Sequence, residues 1–218
     1  MATVYDAKII GLPKIGDERG NLSIIEQFKN IPFEIRRVYW IYDVPGGYNR
    51  GEHAYKDNQE FIVALSGAFE VVLDDGNNIM TFNLNRSYFG LYVPKGMWRR
   101  MTSFSTNSLA LVLSSTDYSE CDYIMEYDNF KQWRKDGAKT NDDPPVLIKT
   151  NNILEKQQPS VFDCSLFELN KFHDKEGNLT YIYQNVHVHT TFPEVKIVVV
   201  MLIRNVISLL LLQVVPLK

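Results

Sequence analysis

The 218-residue chain carries 23 Lys and Arg against 26 Asp and Glu, a formal net charge of -3, with 45% hydrophobic and 12% aromatic residues. This composition suits a packed globular domain with room for a further segment, and it excludes a chain kept disordered by its charge. No global basic field marks a nucleic-acid binder. The two cysteines, Cys121 and Cys164, form neither a metal nor a redox spacing, so a reducing cytosolic setting is expected.

Taken in order, Met1 to Asp6 lacks the charged start and apolar core of a signal peptide. Residues 6 to 133 read as short strands. Ile24-Ile25, Ile35 to Tyr42, Phe61 to Leu65, Phe69 to Leu73 and Leu109 to Leu113 are rich in β-branched, aromatic or aliphatic side chains. Ser66-Gly67 and Asp74-Asp75-Gly76-Asn77-Asn78 are turn sequences between them. Gly46-Gly47 and Pro94-Lys95-Gly96 mark further loops. Many short strands at this spacing predict an all-β sandwich or barrel. Tyr127 to Lys135 is the best helix candidate, expected on the outside.

Residues 134 to 160 are linker-like, with Asn141-Asp142-Asp143-Pro144-Pro145 and Gln157-Gln158-Pro159. The chain then starts again. Val161-Phe162-Asp163 echoes Val4-Tyr5-Asp6, Lys171 echoes Lys14, and Asp174 echoes Asp17. Gly177-Asn178-Leu179, Ile182 and Gln184 echo Gly20-Asn21-Leu22, Ile25 and Gln27 at the same offset, without a gap. This predicts an internal repeat over residues 161 to 188, the opening of a second copy of the domain.

Ile197 to Leu217 is almost wholly apolar, broken by Arg204, Asn205 and Gln213, and its length would fit a membrane helix with a costly central Arg. Back-translation offers another origin. Read at the third base of each codon, residues 189 to 218 permit strings close to Tyr42-Asp43-Val44-Pro45-Gly46-Gly47 and to Ile62 through Glu70. The tail is therefore expected to be a frameshifted remnant of the second copy, and no membrane association is expected.

Polar and ionisable residues crowd into Arg50-Gly51-Glu52-His53-Ala54-Tyr55-Lys56, continued through Glu60 to Gly67. On a strand, positions 53 and 55 share a face. The spacing of Gly47, His53, Tyr55, Glu60 and Gly67 resembles the first motif of the cupin barrels. Pro94-Lys95-Gly96-Met97-Trp98-Arg99 resembles the second. Tyr55 and Arg99 stand where metal-binding cupins carry His. A guanidinium in that cage repels a divalent cation and is expected to pair with Glu60, so neither a metal nor another cofactor is expected.

Further strings extend the resemblance over residues 1 to 133. They are Asp17-Glu18-Arg19-Gly20-Asn21-Leu22, Ile31-Pro32-Phe33-Glu34-Ile35-Arg36-Arg37-Val38-Tyr39, Val72-Leu73-Asp74-Asp75-Gly76, Gly90-Leu91-Tyr92-Val93-Pro94 and Tyr123 to Phe130. Together they resemble the sugar-nucleotide 3,4-ketoisomerases of the cupin superfamily. The resemblance implies a jelly-roll barrel, a dTDP-4-keto-6-deoxyhexose substrate isomerised to the 3-keto sugar, and a homodimer through the N-terminal strands. His53 matches the first His of the family's His-Ala-His pair and is expected as acid/base, since an imidazole titrates in the right range. Tyr55 replaces the second; a phenol with pKa near ~10 is a poor base at neutral pH but can donate a proton. Arg37, Tyr39, Arg50, Lys56, Glu60, Trp98 and Arg99 are the expected substrate-binding residues. Tyr39 is in phase with Arg37, so Trp40 is expected in the core or an interface, and Arg100 reads as solvated surface. An alternative reading is a non-catalytic cupin that binds the sugar nucleotide as partner of an active copy.

Overall fold

A computed structural model describes residues 1–137, 171–174, 177–183, 196–202 and 209–215. The strands are Lys8–Gly11 (β1), Lys14–Asp17 (β2), Gly20–Glu26 (β3), Arg37–Tyr42 (β4), Arg50–Tyr55 (β5), Glu60–Ser66 (β6), Phe69–Asp74 (β7), Ile79–Leu84 (β8), Phe89–Val93 (β9), Trp98–Thr102 (β10), Leu109–Ser114 (β11) and Tyr123–Ile124 (β12). Helix Tyr127–Lys135 (α1) follows, then Lys171–Asp174 (β13), Gly177–Tyr183 (β14), Lys196–Leu202 (β15) and Leu209–Val215 (β16).

A large sheet has the order β1-β9-β6-β11-β4-β14-β13, and a second has the order β12-β5-β10-β7-β8. A third sheet, β16-β15-β3-β2, joins the N-terminal hairpin to the tail strands. Alternation along the strands explains the layers. Tyr39, Ile41, Ile62, Ala64, Val71, Leu73, Met101, Ala110 and Val112 form one apolar cluster, drawn from both larger sheets. Their sequence neighbours Val38, Phe61, Val63, Leu111 and Leu113 form another, closed by Ile25, Ile31, Phe33 and Ile35. Strands β6 and β11 are buried on both faces and read as unbroken apolar runs for that reason.

The expected strands all form, and α1 has the bounds that the sequence predicts. Sequence reading named no strand over β1, β2, β8, β9 or β12. β1 and β2 are largely exposed and carry little apolar signal, whereas β8 does alternate, with Met80, Phe82 and Leu84 inward of Thr81 and Asn83. The Ser66-Gly67 turn needs its glycine. Gly67 has φ +65°, and a Cβ there would lie 2.8 Å from the backbone of Ser108.

Helix α1 lies on the outer face of the smaller sheet, where Phe130 packs with Ala54 and Ile124 and against Trp98 and Trp133. Arg134 and Lys135 occupy its last turn, where positive charge suits the helix dipole. Arg134 also donates to the carbonyls of Ala2 (2.9 Å) and Gly96 (3.1 Å).

From residue 138 the linker, Cys164, His187, His189 and much of the expected second copy lie outside the described residues. No helix among the described residues is long and apolar enough to cross a membrane. The described parts of the apolar tail are strands, β15 and β16, paired with each other and, through β15, with β3.

Phe130 is fully buried. Replacing it with Ala should destabilise the fold by about 3–5 kcal/mol through the lost transfer energy and the cavity left behind. Urea unfolding of Phe130→Ala against the parent measures this.

Candidate active site

Strand pairing brings the two motifs together. Arg99 on β10 lies opposite His53 on β5, and Tyr123 on β12 lies opposite Tyr55. Parity then sends His53, Tyr55 and Arg99 to one side of the smaller sheet. Across from them, β4 supplies Arg37 and Tyr39, and β6 supplies Glu60.

The Arg99 guanidinium is the hub. Its Nε lies 2.8 Å from Glu60 Oε2, with side-chain exposures of 3% and 1% for the two residues. That contact is off the line of the N–H, because neither atom completes a hydrogen bond. The hydrogen bonds run from Nη2, to Tyr39 Oη (3.2 Å), Glu60 Oε1 (3.4 Å) and His53 Nε2 (3.2 Å). Nη1 contacts Met101 Sδ at 3.1 Å. The Tyr39 hydroxyl donates to Glu60 Oε1 at 2.7 Å. Gly51 gives the guanidinium its room: φ is +70° there, and a Cβ would fall 2.3 Å from Arg99 Nη1.

This arrangement sets the state of His53. Arginine has no acceptor, so Nε2 must accept and the proton sits on Nδ1. Burial first, then the charges of Arg99 and Arg37, hold the imidazole well below its usual range. His53 is therefore neutral at neutral pH. Its ring meets Tyr55 edge-on at 4.8 Å and Tyr123 at 5.0 Å. The Tyr55 hydroxyl donates to that of Tyr123 at 3.1 Å. Burial first, then the charge of Tyr39 and Glu60, pushes the Tyr55 phenol well above its usual range, so it keeps its proton.

Arg37 is buried among aromatic rings, 5.4 Å from the Tyr39 centroid and 5.7 Å from Tyr118. Its Nη2 reaches Ser114 Oγ at 3.5 Å, while Nε has no hydrogen-bond partner among the described residues. Arg50 begins β5, opposite Met101.

Two expected binding residues do not join this cluster. Trp98 neighbours the inward Arg99 and so turns outward, against Tyr127 (5.3 Å) and Phe130 (5.7 Å) of α1. Lys56 follows the inward Tyr55, and its Nζ is tied to the carbonyl of Cys121. Glu60 is inside, but its carboxylate is taken up by Arg99 and Tyr39 rather than open to a ligand. Sequence reading missed Tyr123 and Met101 as site residues. Nothing in the motif spacing marks Tyr123, which reaches the site only because β12 adds to the edge of β5. Among the described residues no group of three or more His, Cys, Asp or Glu is placed to share a metal ion.

The comparisons with known proteins cover this same domain. Residues 5–135 match the family model described as FdtA: WxcM-like, C-terminal. The TDP-4-oxo-6-deoxy-alpha-D-glucose-3,4-oxoisomerase of Aneurinibacillus thermoaerophilus is 47% identical over 126 residues, covering 58% of this chain and 91% of that protein. A 3,4-ketoisomerase structure from Helicobacter canadensis is 42% identical with TM-score 0.59, covering 60% of this chain and 98% of that one. The sugar 3,4-ketoisomerase QdtA of Thermoanaerobacterium thermosaccharolyticum, solved with TDP, is 34% identical with TM-score 0.59, covering 61% and 97%.

Because the Arg99 charge depresses the His53 pKa, Arg99→Met should raise it toward the ordinary value near ~6.5. The sign for stability follows. The folded pKa lies below the unfolded one, so the unfolded chain binds the extra proton first. Stability is complete above about pH 6.5 and falls as pH drops from there toward the folded pKa. An NMR titration of the His53 ring in the parent and in Arg99→Met measures the shift. A parent midpoint at or above ~6.5 contradicts the geometry.

A match over residues 5–135, together with a closely related isomerase and these solved structures, places the chain in the FdtA family, among the sugar-nucleotide 3,4-ketoisomerases of the cupin superfamily.

Proposed function

We propose that the chain isomerises a dTDP-4-keto-6-deoxyhexose to its 3-keto form, with residues 1–133 as the catalytic domain. The observation that carries the assignment of roles is a neutral His53 held beside a fixed, buried cation. The C3 proton of the substrate is acidic because it lies next to the C4 ketone. His53 takes that proton on Nε2, giving up the hydrogen bond from Arg99, and becomes an imidazolium. The electron pair of the C–H bond forms the C3–C4 double bond of an enediolate, with negative charge on the C4 oxygen. Tyr55, which holds its proton at neutral pH, donates toward that oxygen. The His53 imidazolium, whose proton exchanges with solvent, then returns a proton to C4 as the C3 hydroxyl gives its own proton to the Tyr55 phenolate and becomes the new ketone.

The low basicity of His53 makes the first step costly. A positive charge already in place offsets that cost, because a preorganised cation stabilises the enediolate without reorganisation. Arg99 supplies it. Arg37 and Arg50 are the candidates for the diphosphate, since guanidinium pairs well with phosphate oxygens. A buried Arg37 Nε without a hydrogen-bond partner among the described residues supports this role. The homodimer expected through the N-terminal strands needs an open strand edge in each chain. Strand β4 does not offer that edge, since β11 and β14 of the same chain lie on its two sides.

The full chain incubated with dTDP-4-keto-6-deoxyglucose in deuterium oxide should exchange the C3 hydrogen. His53→Asn should lose roughly 10²–10⁴-fold of that rate with ligand binding retained, the usual contribution of a general base. Binding without exchange in the parent chain overturns the enzyme reading and leaves the binding-module alternative. Tyr55→His should raise the rate by restoring a second imidazole, and Tyr55→Phe should lower it. An unchanged rate in both removes Tyr55 from the mechanism.

A further inference from the structure

Tyr123 is held beside Tyr55 by more than its two-residue strand. Strand β12 sets Tyr123 opposite Tyr55 and Ile124 opposite Ala54. Just before it, the Asp122 carboxylate accepts from the backbone N–H groups of Asp57 (2.7 Å) and Asn58 (3.2 Å). The Asp122 carbonyl accepts from the backbone N–H of Lys56 at 2.9 Å, and the Cys121 carbonyl holds Lys56 Nζ. These bonds staple residues 121–124 to the end of β5 and the turn after it. The side chain so placed is packed from three sides. Ring centroids lie 4.6 Å away at Tyr55, 5.0 Å at His53 and 5.5 Å at Tyr118.

The hydroxyls of Tyr55 and Tyr123 meet at 3.1 Å, with Tyr55 as the donor. Such a bond can run either way, because a hydroxyl has one donor and two acceptor lone pairs and its hydrogen turns to suit. To protonate the C4 oxygen of the enediolate, the Tyr55 O–H must turn away from Tyr123. Its oxygen is then free to accept from the Tyr123 O–H. Loss of the proton leaves a phenolate in a place that disfavours it, through burial first and then the charge of Tyr39 and Glu60. A donor already in contact offsets that cost at the atom where the charge appears.

Resting on the acid role given to Tyr55 above, we propose that Tyr123 is a positioning residue for the isomerisation. It holds the Tyr55 hydroxyl in the resting site. When Tyr55 gives its proton to the substrate, the bond between the phenols reverses and Tyr123 donates to the phenolate oxygen. The Tyr55 O–H bond breaks as a new O–H bond forms at the C4 oxygen, while the Tyr123 O–H stays intact throughout. The C3 hydroxyl then returns a proton to Tyr55, and the bond reverts.

Tyr123→Phe tests this, since it keeps the ring and removes only the hydroxyl. Steady-state kinetics of the full chain with dTDP-4-keto-6-deoxyglucose should show kcat lowered about 10–100-fold with KM unchanged, the worth of one hydrogen bond to a charged group. In a Tyr55→Phe background the same substitution should cost less than about twofold, because the group it serves is gone. A purely structural defect would cost the same in both backgrounds. An unchanged kcat in Tyr123→Phe, a raised KM with kcat kept, or equal losses in the two backgrounds overturns the proposal. Failure of the underlying acid role looks different: Tyr55→Phe then turns over as fast as the parent, whatever stands at position 123.

Discussion

A buried guanidinium is the constraint on which the rest of the domain depends. Removing a charge from water costs several kcal/mol even after relaxation, and the cost is recovered only through close partners. Arg99 finds them on separate strands: Glu60 on β6, Tyr39 on β4 and His53 on β5. Strands β4 and β6 belong to the larger sheet, while β5 and β10 belong to the smaller. One side chain therefore ties the two sheets across the interior. Breaking the pair from either side would strand the other charge, so the fold and the chemistry share the same requirement.

The same group decides the chemistry. A carboxylate or a second imidazole in its place would raise the basicity of His53 or invite a cation. A guanidinium does the reverse. It fixes the tautomer, depresses the imidazole pKa and fills the space facing the histidine. Two phenols, Tyr55 and Tyr123, then provide the neighbouring protic groups, both held in ring contact with His53. In the proposed mechanism the site trades the strength of its base for a positive charge already in position when negative charge develops on the substrate.

Much of this was legible from the sequence because a strand has a period of two. The motif Arg50 to Tyr55 and the run Glu60 to Leu65 set which residues face inward, and the pairing of Arg99 with Glu60 follows from placing a cation where a ligand cage would be. Trp98 and Lys56 fall outside the Arg99 cluster because matching strings does not apply parity. Arg99 inside requires Trp98 outside, and Tyr55 inside requires Lys56 outside. Helix α1 supplies the reason an outward tryptophan is stable, since Trp98 is covered by Tyr127 and Phe130. Tyr123 was not legible, because its place depends on a two-residue strand joining the edge of β5. No local pattern encodes that long-range pairing.

Strand β4 connects the site to the far end of the chain. Its side chains Arg37 and Tyr39 belong to the cluster, while one backbone edge takes β14. A slip of one residue along that edge would turn the covering strand over relative to β4. The Asn178–Asp43 bond at the strand end works against such a slip. The register of the β4 residues that meet the arginine hub is held on the other edge by β11, paired from Leu109 opposite Tyr42 to Ser114 opposite Arg37.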